Sequence, residues 1–168
     1  MAAPLAPIPE PFCLLDAVRC WDKERIDAER SFQGAPVWQA LEAAAQACAL
    51  HQRVLADFRL HAFLLSVQRF PLEPALLVGR FAVHGRVLGQ SGRSALYGIC
   101  LAPLAPLDAG APGAAAGPQG CLEGQIAIGL APYGERFRQD LLEAHFRERW
   151  RRLAGQQGGQ ERGQGGRG

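Results

Sequence analysis

The chain predicts an α+β fold in which an antiparallel sheet wraps one long helix. Three observations carry that expectation. Residues 36–54 hold no Gly and no Pro after Pro36, and alanine dominates them. Later segments alternate apolar and polar residues with the period of two expected of a strand covered on one face. Gly- and Ser-containing turns separate these segments. A length of 168 residues suits one domain with a substantial core rather than two.

Residues 1–10 read as an extended lead-in, because Pro4, Pro7 and Pro9 deny the backbone regular hydrogen bonding. The domain proper spans 11–154. It opens on the short apolar segment "PFCLLDAV", and "KERIDAERSF" then sets Ile26, Ala28 and Phe32 against Arg25, Asp27 and Glu29, as in an edge or half-exposed strand. Pro36 is expected at the first position of the central helix, where its missing N–H loses nothing. Ala43, Ala44, Ala45, Ala47 and Ala49 let strands approach that helix closely, with Trp38, Leu41, Cys48 and Val54 as anchors. Strands are expected at 61–70, 75–89, 94–102 and 121–131, the middle pair joined by a hairpin turn at "GQSG". "PLAPLDAGAPGAAAGPQG" reads as a mobile insertion without chemistry. Over 133–154, Phe137, Leu141, Phe146, Trp150 and Leu153 mark an amphipathic helix that caps the core, and residues 155–168 read as a disordered Gly/Gln tail.

Composition excludes more than it selects. A net charge of +2 gives no support to nucleic-acid binding. Five cysteines show no metal-ligand spacing, so no metal site is expected, and their odd number fits reduced, mostly buried thiols in the cytoplasm. No signal peptide or membrane span is expected. Seventeen of the eighteen basic residues are Arg, which pairs well with phosphate and carboxylate groups.

Glu42 is the singular residue of the central helix. A carboxylate in such apolar company is paired, exposed on one face, or employed in chemistry. Its surroundings favour the last reading. "PFCLLD" (11–16), "FQG" (32–34), "PVWQALEAAAQ" (36–46) and "RFPLEP" (69–74) stand in the order found in hot-dog-fold 3-hydroxyacyl-acyl-carrier-protein dehydratases, which residues 8–131 resemble. The resemblance implies a hot-dog fold, with the sheet around the central helix, and a dimer with its sites at the subunit interface. It also implies that Glu42 is the dehydratase carboxylate and that Gln46, one turn further along the same face, assists it.

The departure is equally informative. Where the family has Gly-His-Phe-Pro, this chain passes from Gly34 to Ala35 and Pro36, so the loop bearing the catalytic His is missing. Dehydration needs a base for the α-proton and an acid for the leaving hydroxyl, and one carboxylate is half of that machinery. "GAPVWQALEAAAQACAL" resembles the dehydratase-like proteins of bacterial aryl-polyene pigment clusters, which implies chain building on acyl carrier protein, often beside a second, His-bearing dehydratase homologue. Expected partners are therefore acyl carrier protein and a second hot-dog chain, like or unlike. No cofactor is expected, since the substrate rides on the carrier's phosphopantetheine.

His61 and His84 are the candidate substitute bases. His51 is expected to be solvated, and His145 is set aside because it lies on the terminal helix, outside the region of resemblance. Trp38, Arg69, Phe70 and Arg80 are the expected substrate-binding residues. Arg80, with Arg69, Arg86 and Arg93, could meet a phosphopantetheine phosphate or an acidic carrier surface, or simply form solvated strand faces. Three activities remain open: dehydration with Glu42 as general acid, thioester hydrolysis with Glu42 activating water or attacking the carbonyl, and a non-catalytic acyl-binding or stabilising subunit.

Overall fold

The computed structural model describes residues 13–73, 75–104, 120–135 and 137–155. The expected lead-in at 1–10, residues 105–119 of the insertion and the tail from 156 lie outside the described residues. Strands β1 (Ala17–Trp21), β2 (Arg25–Pro36), β3 (Leu60–Gln68), β4 (Leu76–Gln90), β5 (Ser94–Pro103) and β6 (Leu122–Pro132) form one antiparallel sheet in the order β1-β2-β4-β5-β6-β3. Helix α1 (Trp38–Leu55) lies in the curve of the sheet, and α2 (Gln139–Ala154) follows the last strand. This is the expected α+β architecture, the hot-dog arrangement with a C-terminal helix.

The alternating patterns translate directly into faces. Leu77, Phe81 and Val83 of β4 and Leu122, Ile126 and Ile128 of β6 are buried, whereas His84, Arg86 and Glu123 are exposed. On α1, Ala40, Ala43, Ala44, Ala47 and Cys48 have no solvent exposure. Their small size sets the spacing between helix and sheet. A Cβ at Gly85 of β4 would lie 2.6 Å from Cys48 Sγ, so both positions must stay small.

Four expectations need correction. β2 is half-exposed as expected, with Ile26, Ala28 and Phe32 buried, but it is an interior strand between β1 and β4 and not an edge, because the segment before it supplies the edge strand β1. Pro36 closes β2 and does not open the helix: the strand continues through a bulge at Gln33/Ala35, where Gly34 adopts φ +75°, and pairs on to Pro36↔Leu76. A bulged strand therefore runs straight into the central helix. The turn after β4 falls at residues 91–93, where the Ser91 hydroxyl accepts the N–H groups of Arg93 and Ser94. Finally, Cys100 and Cys121 form a disulfide across the base of the insertion, while Cys13, Cys20 and Cys48 are free. That bridge removes the thiol argument for the cytoplasm.

His51 is also misplaced by the sequence reading. It is fully buried, its Nδ1 2.7 Å from the Tyr97 hydroxyl and its Nε2 2.6 Å from the Asp22 carbonyl. Gln52 donates to the same hydroxyl, so one polar network is sealed inside the core and satisfied there. Burial holds the His51 pKa below its ordinary value, although the Asp22 carbonyl opposes the shift.

Helix α2 buries Phe146 and Leu153, with Leu142 and Trp150 packed beside them. Trp150 meets Trp21 of β1 edge-on at 5.3 Å between ring centres. Arg147 ties α2 to the end of α1 through the Asp57 carboxylate (3.1 Å) and carbonyl (2.8 Å). The helix thus caps the core, and in doing so it faces one side of α1. Among the described residues no helix is long and apolar enough to cross a membrane.

Candidate functional site

Glu42, Ala45, Gln46, Ala49 and Arg53 repeat on α1 at the spacing of one helical face, which looks toward β3 and α2 rather than into the core. Ala45 and Ala49 leave that face hollow. The result is a cavity of about 260 Å³ closed by Ala62, Phe63 and Leu64 of β3 and by the inner side of α2. Glu42 and Gln46 both line it, together with His145, Arg149 and Arg152 from α2.

Gln46 organises the polar wall. Its amide nitrogen donates to Glu42 Oε1 at 2.9 Å, and its carbonyl oxygen accepts the Leu14 N–H at 3.0 Å and an N–H of Arg149. Because the oxygen is claimed by two donors, the amide can only present its nitrogen to Glu42. The carboxylate is half-buried.

One cation lies deeper. Arg53 is 6% exposed, its guanidinium 3.7 Å from the centre of the Phe146 ring and donating to the Ala62 carbonyl. Burial pushes its pKa down to about 10, with the neighbouring Arg149 acting in the same direction and Tyr133 opposing. The His145 imidazole is held below its ordinary pKa by burial first, then by Arg149, Arg152 and Arg53, and so is neutral at physiological pH.

The other residues expected at the site lie elsewhere. Trp38 is 56% exposed at the start of α1. Arg69 follows β3 in the left-handed region at φ +58°, which turns Phe70 inward against Gly124. Arg80 pairs with Glu29 at 2.8 Å, and His84 with Asp27 at 2.7 Å, on strands remote from the cavity wall. His61 is buried at the start of β3, stacked on Phe137 with 4.2 Å between ring centres. Its pKa is lowered by burial and then by Arg53. Neither candidate base lines the cavity holding Glu42, whereas His145, set aside on sequence grounds, does.

The fold recurs in solved structures. The dehydratase heterocomplex ApeI:P from Xenorhabdus doucetiae superposes with a TM-score of 0.56 at 12% identity, covering 81% of this chain and 93% of that one. A mutant of the thioesterase enzyme SAV0944 from Staphylococcus aureus gives 0.52 at 8% identity, covering 69% and 93%. The E. coli PaaI protein from the phenylacetic acid degradation operon gives 0.50 at 13% identity, covering 74% and 83%. No protein-family model matches the sequence, and no curated protein matches it. Likeness at such low identity shows the hot-dog fold and leaves the chemistry to the residues.

Proposed function

We propose that the chain dehydrates 3-hydroxyacyl thioesters delivered on the phosphopantetheine of an acyl carrier protein, without a further cofactor. One observation carries this reading: Glu42 and His145, from different helices, line the same cavity, so the acid and base that elimination requires are both at hand. The neutral imidazole of His145 takes the proton from the α-carbon, and the released electron pair forms the double bond. The bond from C3 to its hydroxyl breaks as the Glu42 carboxyl gives its proton to the departing oxygen, which leaves as water. Proton return from imidazolium to carboxylate resets the site. Gln46 aims Glu42 throughout.

The free edge at β3 supports a second hot-dog chain as partner. Phe63, Leu64, Leu65 and Val67 are exposed there, and the first two also form the cavity wall. A strand paired to this edge would cover apolar surface and close the site. The similar structure of the dehydratase heterocomplex ApeI:P supports a pairing of unlike chains.

Thioester hydrolysis is the second reading, favoured by the Gln46 N–H on Glu42 and the guanidinium-lined wall, an arrangement that suits an ionised carboxylate activating water. The test offers a 3-hydroxyacyl carrier protein to the purified chain, alone and with a His-bearing dehydratase homologue. Enoyl product is expected. Free thiol without enoyl product selects hydrolysis, and neither product in either mixture rejects both.

A further inference from the structure

Ten ion pairs join described residues, and the seven arginines among their members all keep part of the side chain in solvent, from 24% for Arg30 to 69% for Arg151. Arg53 and Arg149 reverse that pattern. Both line the cavity, neither makes an ion pair among the described residues, and the Nε of each is buried without a hydrogen-bond partner. A guanidinium that is 6% exposed and lacks a counter-charge is costly to bury, far more so than the surface cations that are paired. Glu42 does not discharge this excess, since it is hydrogen-bonded to Gln46 and forms no ion pair with either arginine. One face of the Arg53 guanidinium lies on the Phe146 ring and one edge donates to the Ala62 carbonyl, which orient the group without neutralising it.

We propose that Arg53 and Arg149 form a subsite for an oxyanion, a carboxylate or a phosphate, carried by the substrate. The inference rests on the cavity being the acyl-thioester site, and it narrows the substrate class to thioesters that carry an acidic group. Two sources share the chemistry: a carboxylate on the acyl chain itself, as in a half-thioester of a short dicarboxylic acid, or the phosphate of the pantetheine arm. A cavity of about 260 Å³ accommodates one such terminal group rather than a long apolar chain. The unpartnered Nε atoms show that neither guanidinium is satisfied by the protein alone, and the low-polarity surroundings of Phe146 and Ala49 strengthen the attraction to an anion.

Calorimetric titration of the full chain at low ionic strength tests this with probes that cannot react. They are monomethyl glutarate, dimethyl glutarate and inorganic phosphate. The monoanion should bind at least about tenfold more tightly than the neutral diester, a ratio expected when one charge-assisted contact is lost. Arg149→Gln should weaken anion binding by about tenfold, and Arg151→Gln, which removes the same charge from an exposed position of α2, should not. Arg53→Gln should act like Arg149→Gln; if it does not fold, Arg149→Gln decides. Tighter binding of the glutarate than of phosphate assigns the anion to the acyl chain, and the opposite order assigns it to the pantetheine arm. Equal affinity for the monoanion and the diester, no binding of either anion, or an equal loss in Arg151→Gln overturns the subsite. No turnover is measured, so a chain that fails to dehydrate can still bind the anion, and one that dehydrates can still lack the subsite.

Discussion

Gln46 holds Glu42 at 2.9 Å while its own carbonyl oxygen is held by the Leu14 N–H and by Arg149. The lead-in to β1, the central helix and the terminal helix therefore meet at one amide. Replacing Gln46 with Ala frees the carboxylate to rotate and leaves the Leu14 N–H unpaired. We expect kcat to fall by about 10- to 100-fold, as positioning effects do, with KM little changed. The loss of the buried acceptor should lower stability by about 1 kcal/mol, read by denaturant unfolding. An unchanged kcat would mean that Gln46 is packing only.

Gly85→Ala tests how closely the sheet grips the helix. The added Cβ would meet Cys48 Sγ at 2.6 Å and Ile26 Cγ2 at 3.2 Å, both in the sealed core. A loss of about 1–3 kcal/mol is expected. The double variant with Cys48→Ala should recover part of it, which urea titration of the four proteins will show.

Acid should destabilise the fold through its buried and half-buried histidines. His51, His61 and His145 all have pKa values lowered in the folded state, mainly by burial, so the unfolded chain binds more protons below the ordinary histidine pKa of about 6.5. Their contribution is complete above that pH and is lost as pH falls through the folded-state values. Tm measured across pH 5 to 8 should be level at the upper end and decline on acidification from about 6.5. His51→Gln should flatten that decline, and an equally steep decline in the variant would assign the acid sensitivity to other groups.

The disulfide makes a prediction independent of catalysis. Cys100 and Cys121 are 21 positions apart, and a closed loop of that size stabilises by about 3 kcal/mol. Reduction, or Cys100→Ser with Cys121→Ser, should lower the denaturation midpoint accordingly. Equal midpoints with and without reductant would show that the bridge contributes nothing.

The strands were legible because each has one covered face, so period-two patterns such as Leu77, Phe81 and Val83 follow from the backbone alone. Glu42 and Gln46 were legible for the analogous reason, since four residues on a helix return to the same face. Pro36 misled because the same residue is tolerated at a helix start and at a strand end. His145 was invisible because its place on the cavity that Glu42 also lines depends on how α2 docks across α1, a tertiary relation that neither helix's periodicity encodes. Cys100 and Cys121 were hidden by the insertion: only the antiparallel register, with Cys100 opposite Glu123 and Leu101 opposite Leu122, brings their sulfurs together. His51 lies on a helix face that looked polar, yet the Asp22 carbonyl and Tyr97 satisfy it in the core.

The pairing of Glu42 with His145 is tested most directly by single-turnover formation of enoyl product from a 3-hydroxyacyl carrier protein, by wild type, Glu42→Gln and His145→Gly. Both variants should lose at least about a hundredfold in rate, the usual share of a positioned acid or base. Added imidazole should restore activity to His145→Gly and leave Glu42→Gln inactive. A His145→Gly protein that turns over at the wild-type rate, while Glu42→Gln is inactive, would contradict the account and place the base on another chain.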